Sequence, residues 1–273
     1  MNRRMKTLAV AVEFATGMSA AMAGESKIVV DGSTTVGPIA KAFAEYYMGK
    51  NSDVNITVSE SGSGNGAKSL INAACDVASM SRAMKSSEMK AAKDAGVLPI
   101  EHVVAMDGLV VVVHASNPVG ELTLAQIRDI YTGKIGNWKE LGGPDSAIVV
   151  ISRDTNSGTY ETFETMVMKG AKMAGKTEYL GSNGAIRQKV MGTQAAIGYV
   201  GLAFTESVKT LKVNGVSPSA ETVLDKTYPI ARALYMYTNG RPKEGSHLAN
   251  FIGMAKTGQG QKIIEDIGFV PLK

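Results

Sequence analysis

Cysteine occurs once in this 273-residue chain, at Cys75. No disulfide can form within it, and no cysteine cluster can hold a metal. Histidine occurs three times, at His102, His114 and His247. These are scattered and form no H-E-x-x-H pair, so the chain has no zinc signature and a poor basis for a Ser/His/Asp triad. No G-x-S-x-G nucleophile elbow is present. The tract GSGNGAKS (62–69) imitates a nucleotide P-loop, but its spacing is wrong and Gly-Lys is not adjacent; a G-x-G-x-x-G dinucleotide fingerprint is also missing. Aromatic residues are 6% of the chain, which argues against an aromatic-lined sugar cleft, and the single tryptophan, Trp138, reads as a packing residue. A formal charge of +4 with no Lys/Arg block after the first residues makes no case for nucleic acid.

The one conspicuous apolar stretch lies at the N-terminus. Arg3, Arg4 and Lys6 precede a mostly apolar run from Leu8 to Ala21, and Ala21 and Ala23 are small residues at the positions before a cut. This pattern predicts a cleavable export signal over residues 1–23. Glu13 interrupts a run already short for a membrane span of roughly 20 residues. Without residues 1–23 the chain loses three basic residues and one acidic one, so its charge falls from +4 to +2. No cysteine stands beside the cut, so a lipid anchor there is not expected. Cys75 follows an apolar helical pattern and is expected to be a buried, inert thiol.

Beyond the signal, short β-type runs alternate with helical ones. Strands are expected at 27–33, 54–61, 77–81, 109–116, 148–153, 196–204 and 229–238. Helices are expected at 39–50, 66–76, 86–96, 123–134 and 157–170, then near 246–257 and 261–267. Ser86 is a candidate N-cap, Thr123 and Gln126 fit a capping box, and Gly258 and Gly260 are expected to break the last two helices apart. The βαβα order predicts an α/β fold with mostly parallel sheets.

Three segments share one design: GSTTVGP (32–38), SGSGNG (61–66) and RDTNSGT (153–159). Each places Gly, Ser and Thr between a strand and the start of a helix. A helix start leaves backbone N–H groups unpaired and carries partial positive charge. Glycine admits a close ligand, and hydroxyls add adjustable donors. Each segment alone reads as an ordinary N-cap. Together they point to an oxyanion wrapped in neutral donors. Arg153, at the end of an apolar strand, is either a surface arginine or a bidentate clamp for such an anion, with Asp154 placed to orient it.

The segments DGSTTVGPIAKAF, SGSGNGAKSLI, DVASMSRAM, IRDIYTGKIGNW, SRDTNSGTYETF and AIGYVGLAF stand in an order that resembles the phosphate-binding component of bacterial ABC phosphate importers, over nearly all of the chain after the signal. The resemblance implies a two-lobed, type II periplasmic-binding-protein fold with two crossover hinge strands, near LVVVVH and ALYMYT. Lobe I would hold 24–113 and 233–273, and lobe II 114–232. It implies an exported, periplasmic monomer that captures inorganic phosphate and delivers it to a membrane permease, with no cofactor, no metal and no catalysis.

The resemblance also implies a contact set. Thr34 looks like the first hydroxyl donor, with the Thr35 N–H beside it. Ser63 looks like the donor of the second loop, Arg153 like the cationic clamp, and Ser157, Gly158 and Thr159 like the third loop. Well-known members carry an aspartate after the third strand that accepts the proton of hydrogen phosphate; here Ser81 and Arg82 stand there. Asp107, in AMDGLVVVV, is the candidate acceptor, its alternative being a turn before a strand. Arg82 is a candidate second cation. Another tetrahedral oxyanion, such as sulfate, molybdate or tungstate, suits the same helix-terminus logic. A phosphate-ester hydrolase is less well supported, since no nucleophile–base pair or metal cluster is evident.

Overall fold

The computed structural model describes residues 26–272; the expected signal segment lies outside them. Strand β1 (Ser26–Gly32) leads to helix α1 (Gly37–Met48), β2 (Val54–Ser59) to α2 (Ser63–Ile71), and β3 (Val77–Met80) to α3 (Ser86–Asp94). A 15-residue strand, β4 (Pro99–Val113), follows. The chain continues through β5 (Glu121–Leu122), α4 (Leu124–Thr132), β6 (Val149–Arg153), α5 (Gly158–Phe163), β7 (Glu178–Leu180), α6 (Asn183–Met191) and β8 (Ala196–Gly201). It closes with β9 (Lys209–Thr210), β10 (Lys212–Val213), α7 (Ala220–Leu224), β11 (Ala231–Asn239), α8 (His247–Gly253) and α9 (Gly258–Asp266).

The main sheet runs β2-β1-β3-β11-β4-β8-β6-β7, with β9 attached to β4. Its outer pairs are parallel: β1 with β2 and β3, and β6 with β7 and β8. The antiparallel pairs all involve the two central strands, β4 and β11. Strand β4 divides its partners. Pro99 to Gly108 pair with β11, whereas Leu109 to Val113 pair with β8. Two halves of the sheet therefore share one strand.

Each half has its own apolar core. One gathers Ile28, Val30, Phe43, Val77, Leu234 and Phe251; the other gathers Leu109, Val111, Tyr131, Trp138, Phe163 and Tyr199. The valine run of β4 reads as continuously apolar because both its faces are covered. Val111 and Val113 enter the second core, while Val110 and Val112 pack with Ile151, Ile186 and Val200. Trp138 is fully buried, as expected of a packing residue, and its indole N–H donates to the Ala195 carbonyl at 2.9 Å. Among the described residues no helix is long and apolar enough to cross a membrane.

Several local expectations are corrected. Helix α2 starts at Ser63 rather than 66 and ends by Ile71, because Ala73 takes a left-handed φ of 54°. Ser86 is the first residue of α3 rather than its cap; the start is closed by the Glu88 carboxylate, which accepts the Lys85 N–H at 2.8 Å. The helix expected over 157–170 is α-helical only to Phe163 and then widens into a π-helical turn, Glu164–Met168. Gly258 and Gly260 are not breakers. They lie within the first turn of α9, where the Thr257 hydroxyl caps the Gly260 N–H at 3.0 Å. A side chain at Gly260 would collide with the Met254 carbonyl, so the glycine serves packing. The Thr123–Gln126 capping box forms as expected.

Candidate functional site

The three Gly/Ser/Thr segments each join a strand end to a helix start, all three strands run parallel to their neighbours within their half of the sheet, and contacts between the junctions bring them together at the crevice between the halves. The backbone ties them together. Gly62 N–H donates to the Gly32 carbonyl at 2.6 Å, Ser33 N–H to the Ser79 carbonyl at 2.8 Å, and Gly64 N–H to the Asn156 carbonyl at 3.0 Å. The last bond crosses from one half of the sheet to the other. Gly62 sits at φ +103°, a conformation that disfavours any side chain, and a Cβ there would stand 2.9 Å from the Asn156 carbonyl oxygen.

Hydroxyls from distant segments meet in the crevice. Thr35 Oγ1 lies 3.1 Å from Thr159 Oγ1, and Ser63 Oγ lies 3.3 Å from Ser81 Oγ and accepts the Ser81 N–H at 3.0 Å. All four residues are buried. Gly158 is wedged between the halves: a Cβ on it would lie 2.5 Å from Ser63 Oγ and 2.7 Å from Ser81 Oγ. Two backbone donors expected to face a ligand are engaged nearer home. The Thr35 N–H donates to Ser33 Oγ at 3.1 Å, within the turn that precedes α1, and the Thr159 N–H donates to Ser157 Oγ at 3.2 Å, where Ser157 caps α5. Ser157 is the N-cap proper of its helix.

Arg153 is 1% exposed. Its Nε and Nη2 donate to the carbonyls of Leu180 and Gly181 at 3.2 and 2.8 Å, which pins the guanidinium, while Nη1 is buried without a partner. Burial pulls its pKa below the ordinary arginine value, to about 10; Asp154 and Tyr199 oppose the shift, and Arg232 adds to it. It remains a cation at neutral pH. Thr34 Oγ1 is likewise buried and unpartnered. A buried donor without an acceptor is costly, and two of the expected contact groups carry one each.

Asp107 is buried in the same region. Its Oδ1 accepts the Leu202 N–H at 3.0 Å, and its Oδ2 accepts Arg232 Nε and Nη2 at 3.0 and 2.8 Å. Arg232 Nη2 also donates to Thr159 Oγ1 at 2.9 Å, so one guanidinium links the carboxylate to the hydroxyl cluster. Arg82 is turned elsewhere. Its guanidinium makes a two-pronged contact with Glu88, 2.7 Å on each side, and an ion pair with Glu161, to which Lys85 also pairs. It faces carboxylates rather than the hydroxyls, since two acidic groups give its guanidinium charged partners.

The structure adds two side chains that sequence reasoning missed. Arg232 faces Asp107 as its direct cross-strand partner in β11 and β4. The available signal was a lone charge inside each of two apolar strand runs. Asn183, at the start of α6, donates from Nδ2 to Thr35 Oγ1 at 2.9 Å and accepts the Gly201 N–H at 3.3 Å. No sequence signal marked it. Among the described residues no group of His, Cys, Asp and Glu is placed to hold a metal ion.

The comparisons agree with this architecture. A family model described as a PBP superfamily domain matches residues 18–256. The phosphate-binding protein PstS of Staphylococcus saprophyticus is 34% identical over 262 residues, which cover 91% of this chain and 81% of that one. Protein SphX of Synechococcus elongatus is 33% identical over 268 residues, covering 92% and 79%. Among solved structures, a putative phosphate ABC transporter substrate-binding protein from Clostridium perfringens with bound phosphate superposes with a TM-score of 0.84 at 36% identity, covering 91% of this chain and all of that one. An ABC-type phosphate transport receptor from Vibrio cholerae gives 0.74 at 28% identity, covering 90% and 100%. The fold of this chain is the type II periplasmic-binding-protein fold that these structures share.

Proposed function

Because the chain belongs to the PBP superfamily, and within it to the family of the phosphate-binding proteins, we infer that it is an exported solute-binding protein that captures inorganic phosphate and delivers it to the permease of an ABC importer. The observation that carries the reading is the convergence of three strand-to-helix loops on one buried cluster of hydroxyls, with a buried unpartnered donor in two of those loops, Thr34 Oγ1 and Arg153 Nη1. A second support is the charge pattern. Arg153 and Arg232 are near enough to repel each other, and Asp107 accepts from only one of them. An anion bound between them would relieve that repulsion.

The contact set we propose comprises Thr34, Thr35, Ser63, Ser81, Arg153, Ser157, Gly158 and Thr159. Taking phosphate out of water costs far more than one arginine offsets, so donors must be numerous and already oriented. Asp107 is proposed as the acceptor of the phosphate proton. Its Oδ1 receives one hydrogen bond and keeps a lone pair for a second. Against fully ionised sulfate the same lone pair would face an anionic oxygen.

We propose further that the two halves of the sheet act as lobes, expected as 24–113 with 233–273 and as 114–232, which close on the anion. The strand pairing favours crossings at Gly108–Leu109 and Ile230–Ala231, where β4 changes partners and the Leu109 N–H meets the Ile230 carbonyl at 2.9 Å. Export to the periplasm by a cleaved segment ending at Ala23 completes the reading, with the protein acting as a monomer and without catalysis.

Isothermal titration of the mature chain with phosphate, sulfate, molybdate and tungstate tests the assignment. Phosphate binding at 1:1 with sulfate silent is the expected result. Preference for another tetrahedral oxyanion would refute phosphate while retaining the site. Turnover of a generic phosphomonoester would refute the binding-protein role. In Asp107→Asn, sulfate is expected to begin competing; continued indifference to sulfate would remove Asp107 as the discriminator.

A further inference from the structure

Two hydroxyls at the centre of the crevice hold each other at 3.1 Å, Thr35 Oγ1 and Thr159 Oγ1. A hydroxyl has one proton and two lone pairs, so in such a pair only one of the two protons lies between the oxygens. What the other does depends on the groups behind each oxygen, and here both groups are donors.

Behind Thr35 stands Asn183. Its amide orientation follows from its other neighbour, since the Gly201 backbone N–H can only donate and lies 3.3 Å from Oδ1. The amide nitrogen therefore faces Thr35 Oγ1, at 2.9 Å, and donates to it. Behind Thr159 stands Arg232, whose guanidinium has no acceptor; its Nη2 donates to Thr159 Oγ1 at 2.9 Å. Arg232 is in turn held by Asp107, through Nε and Nη2. Asn183 is 1% exposed and Arg232 8% exposed, so neither is readily replaced by water.

With a lone pair of each hydroxyl already filled from behind, neither proton can point backwards. One proton bridges the two oxygens, and the second has no acceptor within the pair. We propose that Asn183 and Arg232 are positioning residues that commit the Thr35–Thr159 pair to presenting one outward O–H to the oxyanion, whichever hydroxyl supplies it. The proposal rests on the phosphate-binding reading above and deepens it. The pair acts as a preset donor, so that the anion meets a proton and not a lone pair. An acceptor in place of either positioning group would draw a proton backwards and turn a lone pair toward the ligand.

The test is a double-mutant cycle read by titration with inorganic phosphate. Asn183→Asp keeps the shape of the side chain and replaces the amide donor with an acceptor. We expect at least a tenfold loss of affinity in the wild-type background. In the Thr35→Val background, where residue 183 no longer faces a hydroxyl, the same change should cost less than threefold. Equal losses in both backgrounds would overturn the proposal, because a general charge repulsion acts regardless of Thr35.

If Asn183→Asp does not fold, as judged by thermal unfolding, the second arm decides. Arg232→Lys keeps the positive charge but lacks the fork that reaches Asp107 and Thr159 together. Its loss should be at least fivefold alone and largely absent beside Thr159→Val; equal losses again refute the positioning role. A wild-type chain that takes up no phosphate refutes the functional reading itself, and this proposal with it, whereas uncoupled mutants refute the positioning role alone.

Discussion

Replacing Gly158 by alanine adds one methyl group at the point where the two halves of the molecule meet. The new Cβ would stand 2.5 Å from Ser63 Oγ, 2.7 Å from Ser81 Oγ and 3.0 Å from Ser63 Cβ. Relieving those contacts requires movement of about 0.5–1 Å, and overpacking of this kind costs about 1–3 kcal/mol. Ser63 and Ser81 are 0% and 1% exposed, so they cannot swing away into solvent. They belong to the first half, at α2 and just after β3, while Gly158 opens α5 in the second. The clash therefore arises only when the halves are together. With the halves apart, alanine at a helix position is favoured over glycine by up to about 1 kcal/mol. Phosphate affinity should fall roughly 5- to 150-fold at 1.4 kcal/mol per tenfold, while the ligand-free melting temperature stays level or rises slightly. Titration calorimetry and a thermal melt without phosphate check both. Unchanged affinity accompanied by a lower ligand-free melting temperature would refute the reasoning. It would mean that Gly158 and Ser63 are packed together in every state of the protein.

Three further outcomes are expected. Arg153→Ala should weaken phosphate binding about 30-fold or more, since truncating one partner of a buried charge contact costs about 2–5 kcal/mol at about 1.4 kcal/mol per tenfold; near-normal calorimetric affinity would exclude Arg153 from the site. Glu161→Gln removes the carboxylate that Arg82 and Lys85 share across the crevice, and it should reduce phosphate affinity about 5- to 30-fold and flatten its dependence on salt; an unaltered salt dependence would count against a link between the halves there. Burial, reinforced by Asp31 and Asp76, pushes the Cys75 thiol up to about 12. At pH 8 the thiolate is then on the order of one part in ten thousand, so a thiol reagent should react only after unfolding, and labelling of the native protein within minutes would contradict this.

Much of the candidate site was legible because its components are local. A strand that ends in Gly, Ser and Thr before a helix announces capping hydroxyls and close backbone approach wherever it occurs, and 32–38, 61–66 and 153–159 all fold as such junctions. The place of Arg153 was legible for the same reason, at the end of an apolar strand and the start of the third junction. Arg82 was misjudged because its partners, Glu88 and Glu161, are an ordinary neighbour and a residue of the opposite half. Nothing in the local pattern separates an arginine facing a ligand from one facing carboxylates. The two glycines near the C-terminus were misread as breakers, since a helical glycine required by a close carbonyl looks the same in sequence as one that ends a helix.

By itself the sequence determined the order of strands and helices and the three loops rich in small donors, because periodicity, capping and turn chemistry act over a few residues. Only the tertiary structure decided which side chains stand behind those loops. Arg232 meets Asp107 across 125 positions through the register of β11 on β4, and Asn183 meets Thr35 across 148. Register is set by the packing of whole strands, and the direction in which a hydroxyl donates is set by whatever lies behind it. Both are properties of the assembled fold, which is why the donors could be named in advance but their orientation could not.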